Sequence, residues 1–413
     1  MQDTLAKNRG GKRLLIYSHD SFGLGHLRRC REIANALVDT YSDLSVLILS
    51  GSPIIGSFDF RPRVDFVRIP GMIKLSNGEY TSHALDIAPE KTLELRAAII
   101  SEAARIFDPD LFLVDKEPLG LRGEVRATLE MLRTRGTRIV LGLRDVMDDP
   151  DALQPEWKRK RAQPALRDLY DDIWVYGLPQ ICDPLAGIDL AESVRRKMIY
   201  TGYLRRHVSA TPDAAVHLVG TAPYVLVTPG GGGDGDALVD WVVRAYEEDP
   251  NQPYRALIVF GPFMQGDLQQ AFRQRIEALP KVEAITFYNQ METLIAGATG
   301  VIAMGGYNTF CEILSFDKPA IIVPRTRPRT EQLIRATRAQ ELGLVRMLDP
   351  DDGRPARAMA TAIRQLPQQG RPSNVVVPGL LDGLDNVRRL FGLAMQQGRT
   401  QPLQVAEAGS GGD

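Results

Sequence analysis

Residues 301–324, VIAMGGYNTFCEILSFDKPAIIVP, pass from an apolar run through a glycine pair into a helix-forming stretch, then into a second apolar run. The pattern predicts strand, loop, helix, strand. Val301, Ile302 and Ala303 suit a buried strand, Gly305 and Gly306 permit close backbone approach, and Asn308 or Thr309 is expected to cap the helix. At the carboxyl edge of a parallel sheet the first turn of such a helix faces outward, and its free N–H groups and positive dipole favour an anion such as phosphate. Glu312 stands one turn further in, where a carboxylate can accept hydrogen bonds from ribose hydroxyls. The plain alternative for Glu312 is a solvated helix residue.

The segment resembles the donor-sugar site of family 28 glycosyltransferases, the group that includes the enzyme adding N-acetylglucosamine to form lipid II. The resemblance rests on Gly305, Gly306, Thr309, Glu312, Pro319, Ala320 and Pro324, in that order, followed by the pair Glu331-Gln332. It implies a GT-B fold, in which two Rossmann-like, doubly wound α/β domains face one another. It further implies Gly305, Gly306, Asn308 and Thr309 at the donor diphosphate, Glu312 at the ribose, and Glu331 and Gln332 on sugar hydroxyls. Between them, residues 325–330, RTRPRT, depart from the family's usual composition and leave the sugar's identity open.

A chain of 413 residues has room for two domains with sizeable cores. A formal net charge of -1 argues against a general nucleic-acid binder, which usually carries a basic excess. Cys30, Cys182 and Cys311 lie far apart and form neither a disulfide framework nor a CxxC metal pair, so a reducing cytoplasm is the simplest setting. The first dozen residues lack an apolar h-region, and no uninterrupted run of about 18 apolar residues occurs. The expected location is cytoplasmic, with peripheral contact at the inner face of a membrane as an option. That option rests on Lys158, Arg159, Lys160 and Arg161 beside Trp157, which suit anionic headgroups or, more commonly, a solvated helix face.

Residues 13–18, RLLIYS, read as the first strand, and HDSFGLGH, residues 19–26, as a loop opening a helix to about Asp39. The G-x-G at Gly23 is no dinucleotide fingerprint, because Arg28 stands where a third glycine belongs, and the chain has no P-loop. The GLGH loop, with Gly23 and Gly25, resembles the acceptor-side loop of GT-B glycosyltransferases and of the related nucleotide-sugar hydrolases of pseudaminic acid biosynthesis. In both, the histidine faces the interdomain cleft. His26 is one of five histidines, and its pKa suits it to deprotonate an attacking hydroxyl. The alternative is a helix-terminal histidine bonded to backbone, and His19 is a weaker candidate base. Asp115 ends the predicted strand 111–115 at the same edge, where it either orients His26 or caps the next turn. Lys74, Tyr80 and His83 lie in a less regular stretch that suits an acceptor opening or an ordinary surface loop.

In the second half, PGGGGDGD follows a strand at 224–228 and opens a helix. The resemblance places Gly230, Gly231, Gly232 and Gly233 against the donor diphosphate, where bare backbone lets N–H groups converge. Asp236 is expected to cap the helix, while Asp234 beside a diphosphate must point away or hold a cation. The expected organisation is an acceptor-side domain over 1–205 and a nucleotide-sugar domain over 206–380. A helix over 381–397 is expected to cross back to the first domain, followed by a disordered tail at 398–413.

Together these readings predict an inverting, metal-independent transfer of a hexose or N-acetylhexosamine from a UDP-sugar to a hydroxyl acceptor, with lipid-linked, envelope and polysaccharide precursors among the options. No cofactor is expected beyond the nucleotide-sugar substrate. The rivals are a nucleotide-sugar hydrolase, in which His26 activates water, and an inert nucleotide-sugar-binding protein.

Overall fold

The computed structural model describes residues 10–19, 25–74, 79–208, 222–351 and 353–398. Gly23 therefore lies outside the described residues, as do residues 209–221 and the tail from residue 399.

Short runs rich in Val, Ile and Leu become strands buried on both faces, the environment of parallel sheets. In the first half these are β1 (Lys12–Ser18), β2 (Leu44–Ser50) and β3 (Val64–Arg68), then β4 (Met72–Lys74) and β5 (Tyr80–Ser82), β6 (Leu111–Asp115), β7 (Arg138–Arg144), β8 (Asp172–Tyr176) and β9 (Met198–Tyr200). Seven form one sheet in the order β3-β2-β1-β6-β7-β8-β9, all parallel, while β4 and β5 make a separate antiparallel hairpin. The second half contributes β10 (Tyr224–Thr228), β11 (Arg255–Val259), β12 (Val282–Ile285), β13 (Gly300–Ala303), β14 (Ala320–Ile322) and β15 (Arg346–Met347). They form a six-stranded parallel sheet in the order β12-β11-β10-β13-β14-β15.

In both sheets the strand order reverses beside the first strand, opening a crevice between β1 and β6 in one and between β10 and β13 in the other. His26 lies in the first turn of the helix after β1, and Asp115 is the last residue of β6. Gly230 follows β10 and Gly305 follows β13. Residues recognised separately in the sequence thus fall at two topological switch points.

Two helix starts differ from expectation. The helix Tyr307–Ser315 has Gly306 at its N-cap and no side-chain cap. Asn308 is engaged elsewhere, and glycine is a tolerated N-cap. The helix Asp236–Glu248 likewise starts after Gly235, and Asp236 sits in its first turn, where its charge opposes the helix dipole's positive end without capping it. The basic run is not one continuous face. The helix Pro150–Arg159 ends before Arg161, which adopts φ 52°, and a second helix covers Ala162–Asp168. Trp157 is buried in the core, and Lys160 pairs with Glu117 at 2.8 Å and Glu156 at 2.5 Å. Among the described residues no helix is long and apolar enough to cross a membrane.

The final helix, Gly383–Gln397, packs on the first-domain helix Gly25–Thr40. Leu384, Val387, Phe391 and Ala394 join Ile33, Ala34 and Leu37 in one apolar cluster, and the Tyr41 hydroxyl donates to the Arg388 carbonyl at 2.9 Å. Where chain enters and leaves the second half, two backbone segments touch. Tyr203 N–H donates to Leu380 O at 2.8 Å, and Gly383 N–H donates to Tyr203 O at 3.1 Å. Gly202 has φ 89°, and a Cβ on it would stand 2.3 Å from Gly379 O. Gly202→Ala is expected to cost about 1–3 kcal/mol from backbone strain alone, with more from the steric overlap. A thermal midpoint equal to that of the parent chain would refute this reading of the crossing.

Candidate active site in the interdomain cleft

A cavity of ≈ 310 Å³ lies between the halves. Its walls include Gly25 and His26 from the first domain and Gly230, Gly231, Gly305, Gly306, Asn308, Thr309, Glu312, Glu331 and Gln332 from the second. Asp115, Gly232 and Gly233 are not part of these walls. Gly232, at φ 88°, lets the loop lie against β11, since a Cβ there would be 2.3 Å from Phe260 O, while Gly233 lies beside Phe263.

Asp115 is 2 % exposed and sits under His26. Its carboxylate accepts from His26 Nδ1, and Arg29 grips it through Nε at 2.9 Å and through Nη2 at 2.6 Å and 2.8 Å. With the proton held on Nδ1, the Nε2 lone pair is the basic one. Burial works to raise the Asp115 carboxyl, but Arg29 and His26 outweigh it and hold it well below the usual carboxylate range. Burial lowers the His26 pKa against the opposing pull of Asp115. The imidazole therefore stays neutral, and able to accept a proton, to a pH below the ordinary 6.5. His19, its ring 5.8 Å away and perpendicular, is lowered to about 3 by burial; it accepts or donates toward the Tyr17 hydroxyl at 3.3 Å.

In the second half, the helix Tyr307–Ser315 opens onto the cavity. The N–H groups of its first turn have no intrahelical acceptor, and the helix dipole points its positive end there. The Asn308 side chain turns toward the first domain, donating to Gly25 O at 3.0 Å and accepting from Arg206 at 2.7 Å. Glu312 is 1 % exposed, and Arg28 holds it together with Glu292, the latter at 2.8 Å. Burial, with Arg28 opposing and Glu292 adding repulsion, pushes Glu312 up to about 7. Two carboxylates share one guanidinium, and the more deeply buried one retains the proton more readily. Asp234 does not face the cavity unpaired, because Arg325 neutralises it at 2.5 Å. Arg325 also reaches Glu331, and its backbone N–H donates to the Gln332 side chain at 2.9 Å.

Sequence reading passed over the arginines. Arg28, Arg29, Arg144, Arg325 and Arg335 all line the cavity, together with Asp234, Glu312 and Glu331. Burial, opposed by Glu331 and assisted by Arg335 and Arg29, lowers Arg144 to about 10, so it is still charged near neutral pH. The available signal was an apolar strand, IVLGL, ending in Arg144-Asp145 at a carboxyl edge. Asp145, fully buried, accepts from Arg335 Nε at 2.7 Å and Nη2 at 2.6 Å, and from the Tyr203 hydroxyl at 2.7 Å. Arg335 also donates to Gly305 O at 2.9 Å. Among the described residues no group of three or more His, Cys, Asp or Glu converges as a metal site.

Residues 224–368 match the model of the glycosyltransferase family 28 C-terminal domain. A relative described as an uncharacterized glycosyltransferase of Methanosarcina acetivorans is 26% identical over 210 residues, which cover 49% of this chain and 52% of the relative. The match thus spans about half the length of each. The spinosyn forosaminyltransferase SpnP superposes with a TM-score of 0.59 at 15% identity, covering 93% of this chain and 95% of that one. MurG of Acinetobacter baumannii does so with a TM-score of 0.55 at 12% identity, covering 93% and 99%. At these identities the likeness establishes the fold, two facing Rossmann-like domains.

Asp145→Ala strands a buried guanidinium and is expected to destabilise the chain by about 3–5 kcal/mol. The double variant Asp145→Leu/Arg335→Met should recover most of that loss in urea unfolding. If the double variant is as unstable as the single one, the ion pair is not the source of the effect.

Proposed function

We propose, from the match of residues 224–368 to the family 28 C-terminal domain and from the GT-B fold, that the chain is an inverting glycosyltransferase moving a hexose or N-acetylhexosamine from a UDP-sugar to a hydroxyl acceptor. The observation that carries the proposal is the meeting, in one cavity, of a histidine backed by a buried carboxylate and two glycine loops with a helix amino terminus. One side offers a base and the other an anion site.

His26 accepts the acceptor's proton at Nε2 as the hydroxyl oxygen attacks the anomeric carbon, and the bond to the diphosphate oxygen breaks on the opposite face. Asp115 stabilises the resulting imidazolium, and Arg29 keeps that carboxylate ionised. The departing diphosphate meets Gly230, Gly231 and the first turn of the helix Tyr307–Ser315. Their backbone N–H groups and dipole stabilise developing negative charge without reorganising. This is the electrostatic support that makes metal-independent transfer a consistent reading. Glu312 receives the ribose hydroxyls once Arg28 releases its carboxylate, and Glu331 and Gln332 receive the sugar.

His26→Ala is expected to cut turnover by at least about 10²-fold, and to change UDP affinity by less than about threefold. In the parent chain, turnover should hold as pH falls through 6.5 and decline only below it, because burial lowers the histidine and protonation removes the base. A decline centred above 6.5, or loss of UDP binding along with turnover, would remove His26 from the role. A panel of nucleotide sugars without acceptor separates transfer from hydrolysis, since rapid release of the nucleoside diphosphate would favour water as the acceptor.

A further inference from the structure

We infer that Arg144 is a phosphate-binding residue reaching across the cleft from the first domain, and that it recognises the sugar-bearing phosphate of the donor. The inference rests on the donor reading above and deepens it.

Of the arginines lining the cavity, four are held by carboxylates: Arg28 by Glu292 and Glu312, Arg29 by Asp115, Arg325 by Asp234 and Glu331, and Arg335 by Asp145. Arg144 differs. Among the described residues it has no carboxylate within ion-pair reach; its Nε, like that of Arg325, is buried without a hydrogen-bond partner. Arg144 is half-buried at the cavity wall, and a buried donor left unpaired is costly, so the side chain is poised for an anion that the protein does not itself supply.

A second orphan complements it. Glu331 Oε2 is also buried without a partner and lines the same cavity. Arg144 Nε is a donor lacking an acceptor, and Glu331 Oε2 an acceptor lacking a donor, yet they do not bond each other. A sugar phosphate presents what each lacks, anionic oxygens for the guanidinium and a hydroxyl for the carboxylate. A nucleoside monophosphate offers only the phosphate nearest the ribose, beside Glu312. Arg144 ends β7, next to β6, whose last residue Asp115 supports His26. This places the cation on the same sheet edge as the base, where the bond to the leaving group breaks. A planar fork binds phosphate oxygens in pairs, which lysine does less well.

Calorimetry on the full chain with UDP and with UMP tests this. Arg144→Met should lower UDP affinity by about 10- to 100-fold, the range for a hydrogen bond to a charged group. It should shift UMP affinity by less than about threefold, and Arg144→Lys should restore part of the loss. Without nucleotide, the thermal midpoint of Arg144→Met should equal or exceed that of the parent, because a cation with an unpaired buried donor has gone; a merely structural arginine would lower it. Parent-like UDP affinity in Arg144→Met, or equal losses for UDP and UMP, would overturn the assignment. If the parent chain binds none of UDP, ADP, GDP and TDP, the donor reading itself falls, a failure distinct from that of Arg144.

Discussion

The buried ion pair between Asp145 and Arg335 is the constraint on which the cleft depends. Both side chains are out of water, so each charge is tolerable only because of the other. Asp145 follows a first-domain strand and Arg335 lies on a second-domain helix, so the pair fixes how the sheets meet. Its reach extends into the site, since the same guanidinium holds the Gly305 carbonyl and lies 6.0 Å from the centre of the Tyr307 ring, at the start of the anion-facing helix. Arg29 approaches that ring at 5.3 Å. One aromatic ring therefore separates the cation that holds Asp115 from the cation that holds Asp145.

Around this weld, charge is sorted by role. Carboxylates that support structure are saturated by arginine, as at Asp115 and Asp145. Carboxylates facing the cavity keep spare capacity: Glu331 has a free oxygen, and Glu312 shares Arg28 with Glu292. The first kind is held rigid. The second can exchange a protein partner for a hydroxyl at modest cost, because a charge-assisted bond replaces another of similar strength.

How much of this was legible in the sequence follows from the range of each signal. Strands such as 111–115 and 224–228, and the glycine loops after β10 and β13, announce themselves within a dozen residues through apolar runs and backbone freedom. His26 stood out because glycines flank it. The cleft's arginines are ordinary in local context, and their meaning arises from partners 190 residues away for Asp145 and Arg335 and 284 away for Arg28 and Glu312. No periodicity encodes such pairs. Asn308 shows the same limit. Locally it is a plausible helix cap, whereas tertiary contact with Gly25 and Arg206 claims its side chain and leaves Gly306 as the cap.

The contact between the two crossing segments has a mechanical meaning. Tyr203 and Leu380 lie side by side, Gly202 and Gly383 leave no room between them, and the final helix is anchored on the first domain by Phe391 and Tyr41. Two covalent tethers are pinned at one point. Strain entering along either tether is therefore shared with the other through backbone hydrogen bonds, so neither crossing can shift without the other.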